Sequence, residues 1–279
     1  MFLWSWYIDP LYVWIFVITL VISIATQGYL SSTYRKWSHT KNSAGLNGLQ
    51  VGQRIIQKTH LGVVGTQPAA PLETPEIKKL ADLRDQGILT EAEFNAKKAQ
   101  IQDKQKDIVV SRIKMARTPG QMTDHYDPRS NTVRASDGVA TQPSVASMAI
   151  MAHELGHAQQ HENNSALISM RNFLVPALNF ASPLSYLFIF IGFLFNLSGL
   201  VGIGIFFFAI TVLFTLVTLP VEFDASRRGL KLLDQSGLMR TAADQQGSQK
   251  VLRAAALTYV AAAVTAILQL FYYIRVARR

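Results

Sequence analysis

Three long apolar stretches alternate with polar segments along the chain. Residues 11–30 carry no charged side chain, 184–219 are almost wholly apolar, and 254–274 are apolar and rich in alanine. A helix rises 1.5 Å per residue, so about 20 apolar residues cross a bilayer. The first stretch therefore predicts one span; a cleaved signal peptide is disfavoured because no Lys or Arg precedes it. The second, about 54 Å long as a helix, predicts a hairpin of two spans.

Polar residues and prolines set the limits of this hairpin. Its turn is predicted at 196–199, with the first limb starting near Asn172 and the second ending at Pro220. The alanine-rich run 254–274 predicts either a fourth span or a buried helix packed on the others. We therefore expect a mainly α membrane protein with three to four transmembrane helices.

The region between the first span and the hairpin is polar and reads as a small mixed α and β domain. A helix is expected from Ser43 to about Lys58, and a second from Ser144 to about His161. Residues 108–116 and 131–136 resemble strands, and Asp127 to Asn131 is a strong turn signal near them. These elements predict a catalytic part with a small β-sheet.

A charged unit, 72–106, interrupts this region and predicts two helices. Thr74 before Pro75 is typical of a helix start, and Gly87 of its end. Thr90 and Glu93 form a capping box that starts the second helix. The residues expected inside this helix pair are Ile77, Leu80, Leu83, Ile88, Leu89 and Phe94.

Candidate chemistry lies on the helix that begins near Ser144. His153, Glu154 and His157 form an H-E-x-x-H motif. Histidines four residues apart share one helix face, so both imidazoles can bind one cation with Glu154 beside it. The chain has no cysteine, which excludes a disulfide scaffold, an iron–sulfur cluster and a thiolate zinc finger. Any further ligand must be His, Asp or Glu.

A catalytic zinc needs a third protein ligand and an open position for water. Glu222 is the favoured third ligand, because a carboxylate directly after an apolar span is costly unless it has a partner. Pairing with Arg227 or Arg228 is the alternative explanation. His161 is a weaker candidate, since the helix path carries it away from an ion held by the motif. An even number of spans separates the motif from Glu222, so both can meet at one membrane face.

Roles for nearby residues follow from the same chemistry. Glu154 is the expected general base, and His125 and Tyr126 are the candidates for stabilising the tetrahedral oxyanion. Asp124 or Asp224 could orient a ligand imidazole from behind.

Charge and composition add the membrane and its orientation. Only 16% of the residues are charged and 49% are hydrophobic, yet the net charge is +9. Of the 27 basic residues, 24 fall in 31–183 and 220–254, on the side that would carry the zinc site. This distribution favours an anionic lipid surface over nucleic acid, and a site facing the cytoplasm of a bacterial inner membrane. Three basic residues that follow the last apolar run argue the other way if that run spans.

Five stretches, in order, resemble the membrane-anchored neutral zinc metallopeptidases of the YugP type. They are 43–55 (SAGLNGLQVGQRI), 119–136 (PGQMTDHYDPRSNTVRAS), 149–160 (AIMAHELGHAQQ), 219–233 (LPVEFDASRRGLKLL) and 250–274 (KVLRAAALTYVAAAVTAILQLFYYI). The resemblance covers nearly everything except about 66–107. It implies a gluzincin-like site in a zincin-like domain, with His153, His157 and Glu222 as zinc ligands and Glu154 as base.

Two further likenesses accompany it. HtpX-type membrane proteases are distantly similar and have an acidic residue four positions after the ligand glutamate; here that position is Ser226. Residues 72–102 resemble the short C-terminal domain called SHOCT, which usually stands at a chain end but is nested here. That resemblance implies a contact with a protein partner or a second copy of the chain through 72–106.

The sequence thus predicts a membrane-integral zinc-dependent endopeptidase acting on peptides or proteins, membrane proteins among them, by a zinc-activated water. The alternative is a membrane scaffold with a structural metal, which assembles partners through the insert; a fourth protein ligand such as His161 would favour it. The predicted parts are an N-terminal transmembrane anchor (1–30), a zincin-like catalytic part (31–65 and 108–171), the SHOCT-like insert (66–107), a transmembrane hairpin (172–219), a helix with the third ligand (220–253) and a C-terminal transmembrane or buried helix with a basic tail (254–279).

Overall fold

The computed structural model of the chain describes residues 9–67, 75–104 and 108–278. Helices make up most of this part. They are α1 (Pro10–Ser38), α2 (Gly48–Thr59), α3 (Pro75–Asp85), α4 (Glu91–Lys104), α5 (Asp137–Thr141), α6 (Val145–Glu162), α7 (Ala166–Leu194), α8 (Ser198–Gln235) and α9 (Ala242–Ala277). The strands are β1 (Val63–Gln67), β2 (Ile108–Ser111), β3 (Lys114–Thr118), β4 (His125–Asp127) and β5 (Thr132–Ser136). The expected helix cap Thr74 and the start of the predicted anchor lie outside the described residues.

Four of the described helices, α1, α7, α8 and α9, are long and apolar enough to cross a membrane. Large apolar side chains on them are exposed, as the exposed fractions of Trp14 (65%), Phe190 (67%) and Phe271 (66%) illustrate. Apolar surface on this scale marks contact with lipid rather than with water. The protein is a mainly α membrane protein, as its sequence predicts. α9 also buries Ala254, Ala261 and other small residues against its neighbours.

The α7–α8 hairpin turns where the sequence predicts, between Leu194 and Ser198, but its second limb does not end at Pro220. α8 continues through this proline to Gln235, over 38 residues. The expected boundary between hairpin and ligand-bearing helix therefore lies inside one helix, and 220–253 is divided between α8 and α9. Proline removes only one backbone hydrogen bond, and in apolar surroundings the helix remains the way to satisfy the others.

Two more helices extend past their predicted limits. α1 runs eight residues beyond the expected end of the anchor at 30, because its last turns bury Thr33 and Trp37 against the catalytic part. α7 begins at Ala166, six residues before Asn172, and buries Ile168 in its first turn. Both helices therefore extend into the polar region, and Trp37 of α1 belongs to its core.

The mixed sheet has the strand order β3–β5–β4. β3 runs parallel to the central strand β5 and β4 runs antiparallel to it. The turn predicted from Asp127 to Asn131 joins β4 to β5, and Asn131 has the positive φ of 48° that such a turn requires. β4 is an edge strand. β1 and β2 form a separate antiparallel pair.

The insert forms the two helices that its sequence predicts, α3 and α4. The capping box is present, with Glu93 Oε2 accepting from the Thr90 backbone N at 3.0 Å and Thr90 Oγ1 accepting from the Glu93 backbone N at 3.3 Å. Ile77 and Phe94 are buried between the helices. Ile88 is 63% exposed, contrary to expectation, because it lies in the turn after Gly87 rather than on either helix.

α6 lies at the centre of the catalytic part, with Met148, Met151 and Leu155 almost fully buried. Two glycines allow α8 to approach it closely. A Cβ at Gly229 would lie 2.7 Å from the carbonyl oxygen of Ala152, and one at Gly156 would collide with the carbonyl of Ala225. A backbone approach this close is possible only without side chains at both positions. It sets the distance between the motif helix and the helix that carries Glu222.

Candidate metal centre

The two motif histidines project from one face of α6. This helix begins at the N-cap Ser144, whose Oγ accepts from the Ser147 backbone N at 3.0 Å. The imidazoles of His153 and His157 lie edge to face, with centroids 4.7 Å apart. His157 is buried and His153 is partly buried. The spacing of the motif therefore gives the shared face that the sequence predicts.

α8 brings the Glu222 carboxylate to the same point. Its Oε2 lies 3.3 Å from Nε2 of His153 and 3.5 Å from Nε2 of His157. This oxygen is buried and has no hydrogen-bond partner. Leaving a buried carboxylate oxygen unpaired is costly, so the arrangement requires a positive charge at the place where the three atoms converge.

The donor set fits zinc. Ligands about 2.0–2.2 Å from a tetrahedral ion are roughly 3.3–3.6 Å apart, and both measured separations from Glu222 Oε2 lie in that range. Among the described residues, His153, His157 and Glu222 are the group of at least three ligand side chains whose donor atoms lie within 4.8 Å of one another. Two imidazoles and one carboxylate leave a fourth tetrahedral position for water or substrate.

The far side of each imidazole is held by a polar side chain. His153 Nδ1 lies 3.1 Å from Ser226 Oγ, and His157 Nδ1 lies 3.0 Å from Gln160 Oε1. An amide oxygen can only accept, so Nδ1 of His157 carries the proton and Nε2 presents its lone pair to the metal position. Ser226, which stands where HtpX-type proteases have an acidic residue, contacts the other ligand histidine.

Gln160 extends this chain to Asp224. Its Nε2 donates to the backbone oxygen of Val221 and to Asp224 Oδ2, both at 2.9 Å, which fixes which end of the amide faces His157. Asp224 is in turn paired with Arg227 and Arg228. The arginines therefore pair with Asp224 and not with Glu222, and Asp224 acts on the imidazole through Gln160.

Asp124 is the other carboxylate that the sequence suggests for orienting an imidazole of the motif. It binds Ser136 instead. Its carboxylate accepts from the backbone N of Ser136 at 2.7 Å and from its Oγ at 2.9 Å. Burial raises the pKa of Asp124 above its ordinary value, and these two hydrogen bonds oppose the shift. Asp124 thus ties the loop before β4 to the end of β5.

A cleft of about 530 Å³ opens over the metal position. Glu154 lines it and is 8% exposed, next to the ligand His153. One wall is the first three turns of α7, which contribute Ile168, Arg171, Asn172, Val175 and Pro176. The opposite wall is β4 with the loop around it. The catalytic base expected from the motif therefore faces a cavity large enough for a peptide segment.

His125 and Tyr126 lie in the β4 wall, but their polar atoms have other partners. The Tyr126 hydroxyl donates to Asn131 Oδ1 at 2.8 Å and lies 3.0 Å from His161 Nδ1. Burial raises the pKa of Tyr126, the negative charges of Glu162 and Asp127 raise it further, and together they bring it to about 12. His125 Nδ1 lies 2.8 Å from the carbonyl oxygen of Thr123, which can only accept, so Nδ1 donates its hydrogen there. His161 contacts Tyr126 and stays outside the three-ligand group.

Two cleft residues escaped the sequence analysis. Tyr259, from α9, lines the cleft together with Glu222. Arg171, from α7, is near Tyr259, and its Nε is buried without a partner. Both residues lie in apolar segments or at their edges. The composition of such segments predicts a membrane span but does not predict that a residue lies near a metal site. Tyr259 alone could have been flagged, as a polar ring inside the alanine-rich stretch.

Comparisons with known proteins agree with this geometry. A family model described as "Putative neutral zinc metallopeptidase" matches residues 89–278, and a model of the short C-terminal domain called SHOCT matches 76–101. A relative from Bacillus subtilis (strain 168), named "Putative membrane protease YugP", is 40% identical over 157 residues, covering 56% of this chain and 69% of the relative. No solved structure matches the chain. With two thirds of its length matched by that model, and with two histidines and a glutamate converging beneath a cleft, the chain belongs to the neutral zinc metallopeptidase family.

Proposed function

We propose that the protein is a membrane-integral zinc-dependent endopeptidase with His153, His157 and Glu222 as zinc ligands and Glu154 as general base. The observation that carries the proposal is the buried, unpartnered Oε2 of Glu222, which faces the Nε2 atoms of both histidines at 3.3 and 3.5 Å. The remaining tetrahedral position opens into the cleft, as a hydrolytic site requires.

Zinc bound at this position would polarise a substrate carbonyl and lower the pKa of a water molecule. Glu154 then accepts the proton of the attacking water and delivers it to the leaving amine. The low exposure of Glu154 keeps bulk water from competing for this proton. Gln160 and Ser226 hold the two imidazoles so that their Nε2 atoms stay aimed at one point.

The edge strand β4 supports a peptide as substrate. β4 pairs with β5 on one side only, and its residues line the cleft beside the motif helix. An extended peptide can add to such an edge through backbone hydrogen bonds, which are independent of side chains. This pairing would lay a peptide across the metal position between β4 and α7.

Tyr259 is the candidate that geometry favours for stabilising the oxyanion. Its hydroxyl lies near Glu222, and its ring borders the cleft together with His153 and Glu154. The hydroxyl of Tyr126 has two partners already, and Nδ1 of His125 is directed at the carbonyl oxygen of Thr123. The oxyanion role of His125 and Tyr126 stays a prediction, to be compared directly with Tyr259.

The cleft lies at the edge of the membrane under this proposal. Glu222 comes 24 residues after the start of α8, about 36 Å along the helix, and a hydrocarbon core is about 30 Å thick. Juxtamembrane segments of membrane proteins are therefore suitable substrates. Arg35 and Lys36 at the end of α1, with Arg227 and Arg228 on α8, support a cytoplasmic orientation of this edge by the positive-inside rule, and our proposal takes the membrane to be a bacterial inner membrane.

The scaffold alternative would need a fourth protein ligand in place of water. His161, the candidate for that position, contacts Tyr126 instead. Within its described residues the insert contributes no side chain to a cluster of three or more metal ligands. We therefore assign it an accessory role, which is contact with a protein partner or with a second copy of the chain. The six-part division of the chain is part of this proposal, with the ligand-bearing segment now read as the continuation of α8.

Metal content and cleavage together test the proposal. Purified protein in detergent should contain about one zinc ion per chain by mass spectrometry, and it should cleave members of a library of random synthetic decapeptides. Glu222→Ala should lose most of the zinc, whereas Glu154→Gln should keep zinc and lose cleavage. Asp234→Ala, an exposed acidic residue on the same helix as Glu222, is the matched control and should keep both.

Three results would count against the proposal. Undiminished zinc in Glu222→Ala would remove that ligand, and cleavage by Glu154→Gln would remove the general base. Wild-type protein that holds zinc but cleaves nothing would favour the scaffold with a structural metal.

A further inference from the structure

A second cavity, of about 200 Å³, lies behind Glu154. It shares Asp124, His153, Glu154 and Tyr259 with the metal cleft, so the catalytic base and one ligand stand between the two spaces. A substrate whose reacting bond lies at Glu154 therefore has the cleft on one side and this cavity on the other.

The cavity has apolar walls supplied mainly by two membrane helices. Leu30 comes from α1, Val251, Leu252 and Ala255 come from α9, and Ile150 comes from the motif helix. Met122, which is 49% exposed, lies at its edge in a left-handed backbone conformation, φ 56°. These residues bring α1 and α9 to the catalytic part at one place.

Two of the polar side chains of the cavity have partners in the protein. Asp124 accepts from Ser136, and the Thr258 hydroxyl donates to the backbone oxygen of Ala255 at 2.7 Å. None of the buried unpartnered side-chain atoms among the described residues belongs to its wall. Apart from Tyr34 and the groups that it shares with the metal cleft, the cavity therefore offers mainly apolar contact, which favours an apolar ligand.

We propose that this cavity binds a large apolar side chain of the substrate residue next to the scissile bond. The inference rests on the proposed peptidase function and names the substrate class for it. Size supports a single side chain, since sites for drug-sized ligands occupy about 300 to 1,000 Å³ and this one is smaller. Continuity with the metal cleft through Glu154 favours a substrate side chain over a lipid chain.

Two variants change the cavity in opposite directions. Ala255→Phe fills it from α9, and Leu30→Ala enlarges it from α1. Ala262→Phe makes the same exchange on α9 at an exposed position outside both cavities and is the matched control. Zinc content and size-exclusion profile show whether each variant is folded.

The first measurement does not require turnover. Binding of two hydroxamates to the zinc-loaded protein is compared by calorimetry, one with an isobutyl side chain and one without a side chain. The isobutyl compound should bind at least about tenfold more tightly to wild type, since a hydrophobic pocket discriminates by about 10- to 200-fold per methylene. Ala255→Phe should abolish this preference and Ala262→Phe should keep it.

Cleavage sites in the decapeptide library provide the second measurement. Wild type should prefer Leu, Met or Phe on one side of the cleaved bond, Ala255→Phe should prefer Gly or Ala there, and Leu30→Ala should accept larger rings. An unchanged preference in both variants would overturn the proposal. The proposal would also be overturned if a lipid co-purified with wild type, Ala255→Phe displaced that lipid, and wild type showed no preference between the two hydroxamates.

The two proposals fail in different ways. If the hydroxamate preference depends on Ala255 but wild type cleaves nothing, the cavity still binds an apolar side chain beside the metal position, and the peptidase function falls. If wild type cleaves peptides but the variants do not change its side-chain preference, the peptidase function stands and the pocket assignment falls.

Discussion

Gln160 Oε1 lies 3.0 Å from His157 Nδ1, one turn earlier on the same helix. The other end of the amide donates to Val221 and Asp224 on α8. One side chain thus holds the imidazole of His157 and ties the motif helix to α8, the helix that carries Glu222. The described contacts make Gln160, which is fully buried, a positioning residue of the site.

Replacing Gln160 with Leu should weaken zinc binding by about 10- to 100-fold, the usual effect of losing such a partner. The reason is that Nδ1–H of His157 would be buried without an acceptor. Competition with a chromogenic zinc chelator measures the affinity. Gln159→Leu, at the neighbouring and more exposed position, is the control, and equal affinities in both variants would contradict the role.

The phenol of Tyr259 leads to a prediction about the rate. Tyr259→Phe should lower kcat by about 10²- to 10³-fold, as loss of one oxyanion donor does, with zinc content unchanged. Tyr126→Phe should instead lose about 1 kcal/mol of stability, since its hydroxyl is bonded to Asn131 and contacts His161, and should keep most of kcat. The reverse pattern in steady-state kinetics would transfer the oxyanion role to Tyr126.

The close approach of α6 and α8 predicts a large effect from one methyl group. Gly229→Ala should destabilise the protein by about 1–3 kcal/mol, because the new Cβ would lie 2.7 Å from the carbonyl oxygen of Ala152. Zinc affinity should fall with it, since α8 must move away from His153. Gly202→Ala, on the same helix with open space around it, should leave the thermal unfolding midpoint in detergent nearly unchanged.

Asp124 predicts a pH dependence of stability. Its pKa in the folded protein is above the ordinary value of 3.8, so the folded state binds this proton more tightly than the unfolded state does. The contribution of Asp124 to the unfolding free energy should therefore fall as the pH rises from about 3.8 through the folded-state pKa. Thermal unfolding of wild type and Asp124→Asn across pH 4 to 7 isolates it. A difference between the two proteins that grows in favour of wild type with rising pH would contradict the sign.

Much of the fold follows from local signals. The turn between α7 and α8, the capping box at Thr90 and Glu93, and the helical motif are each specified within a few residues. The i, i+4 spacing of His153 and His157 is enough to place their side chains together. Such features are set by the neighbouring chain, so the sequence predicts them well.

The rest depends on pairs that are distant along the chain. Gln160 meets Val221 and Asp224, more than 60 residues away, and Tyr259 reaches Glu222 from a different membrane helix. Nothing in the local pattern distinguishes Gln160 from the surface residues near it. The run through Pro220 was missed for a related reason: proline ends helices in water, but inside a bundle the surroundings keep the helix intact.

The continuity of α8 from Ser198 to Gln235 has a practical consequence. The proposed third zinc ligand, Glu222, lies on the same continuous helix that crosses the lipid, so no linker separates it from the membrane span. A water-soluble fragment built from the polar region alone would retain both histidines and Glu154 but lack the carboxylate. Under the proposed function a membrane-crossing helix is part of the metal centre, so biochemical work requires the intact chain in detergent or lipid.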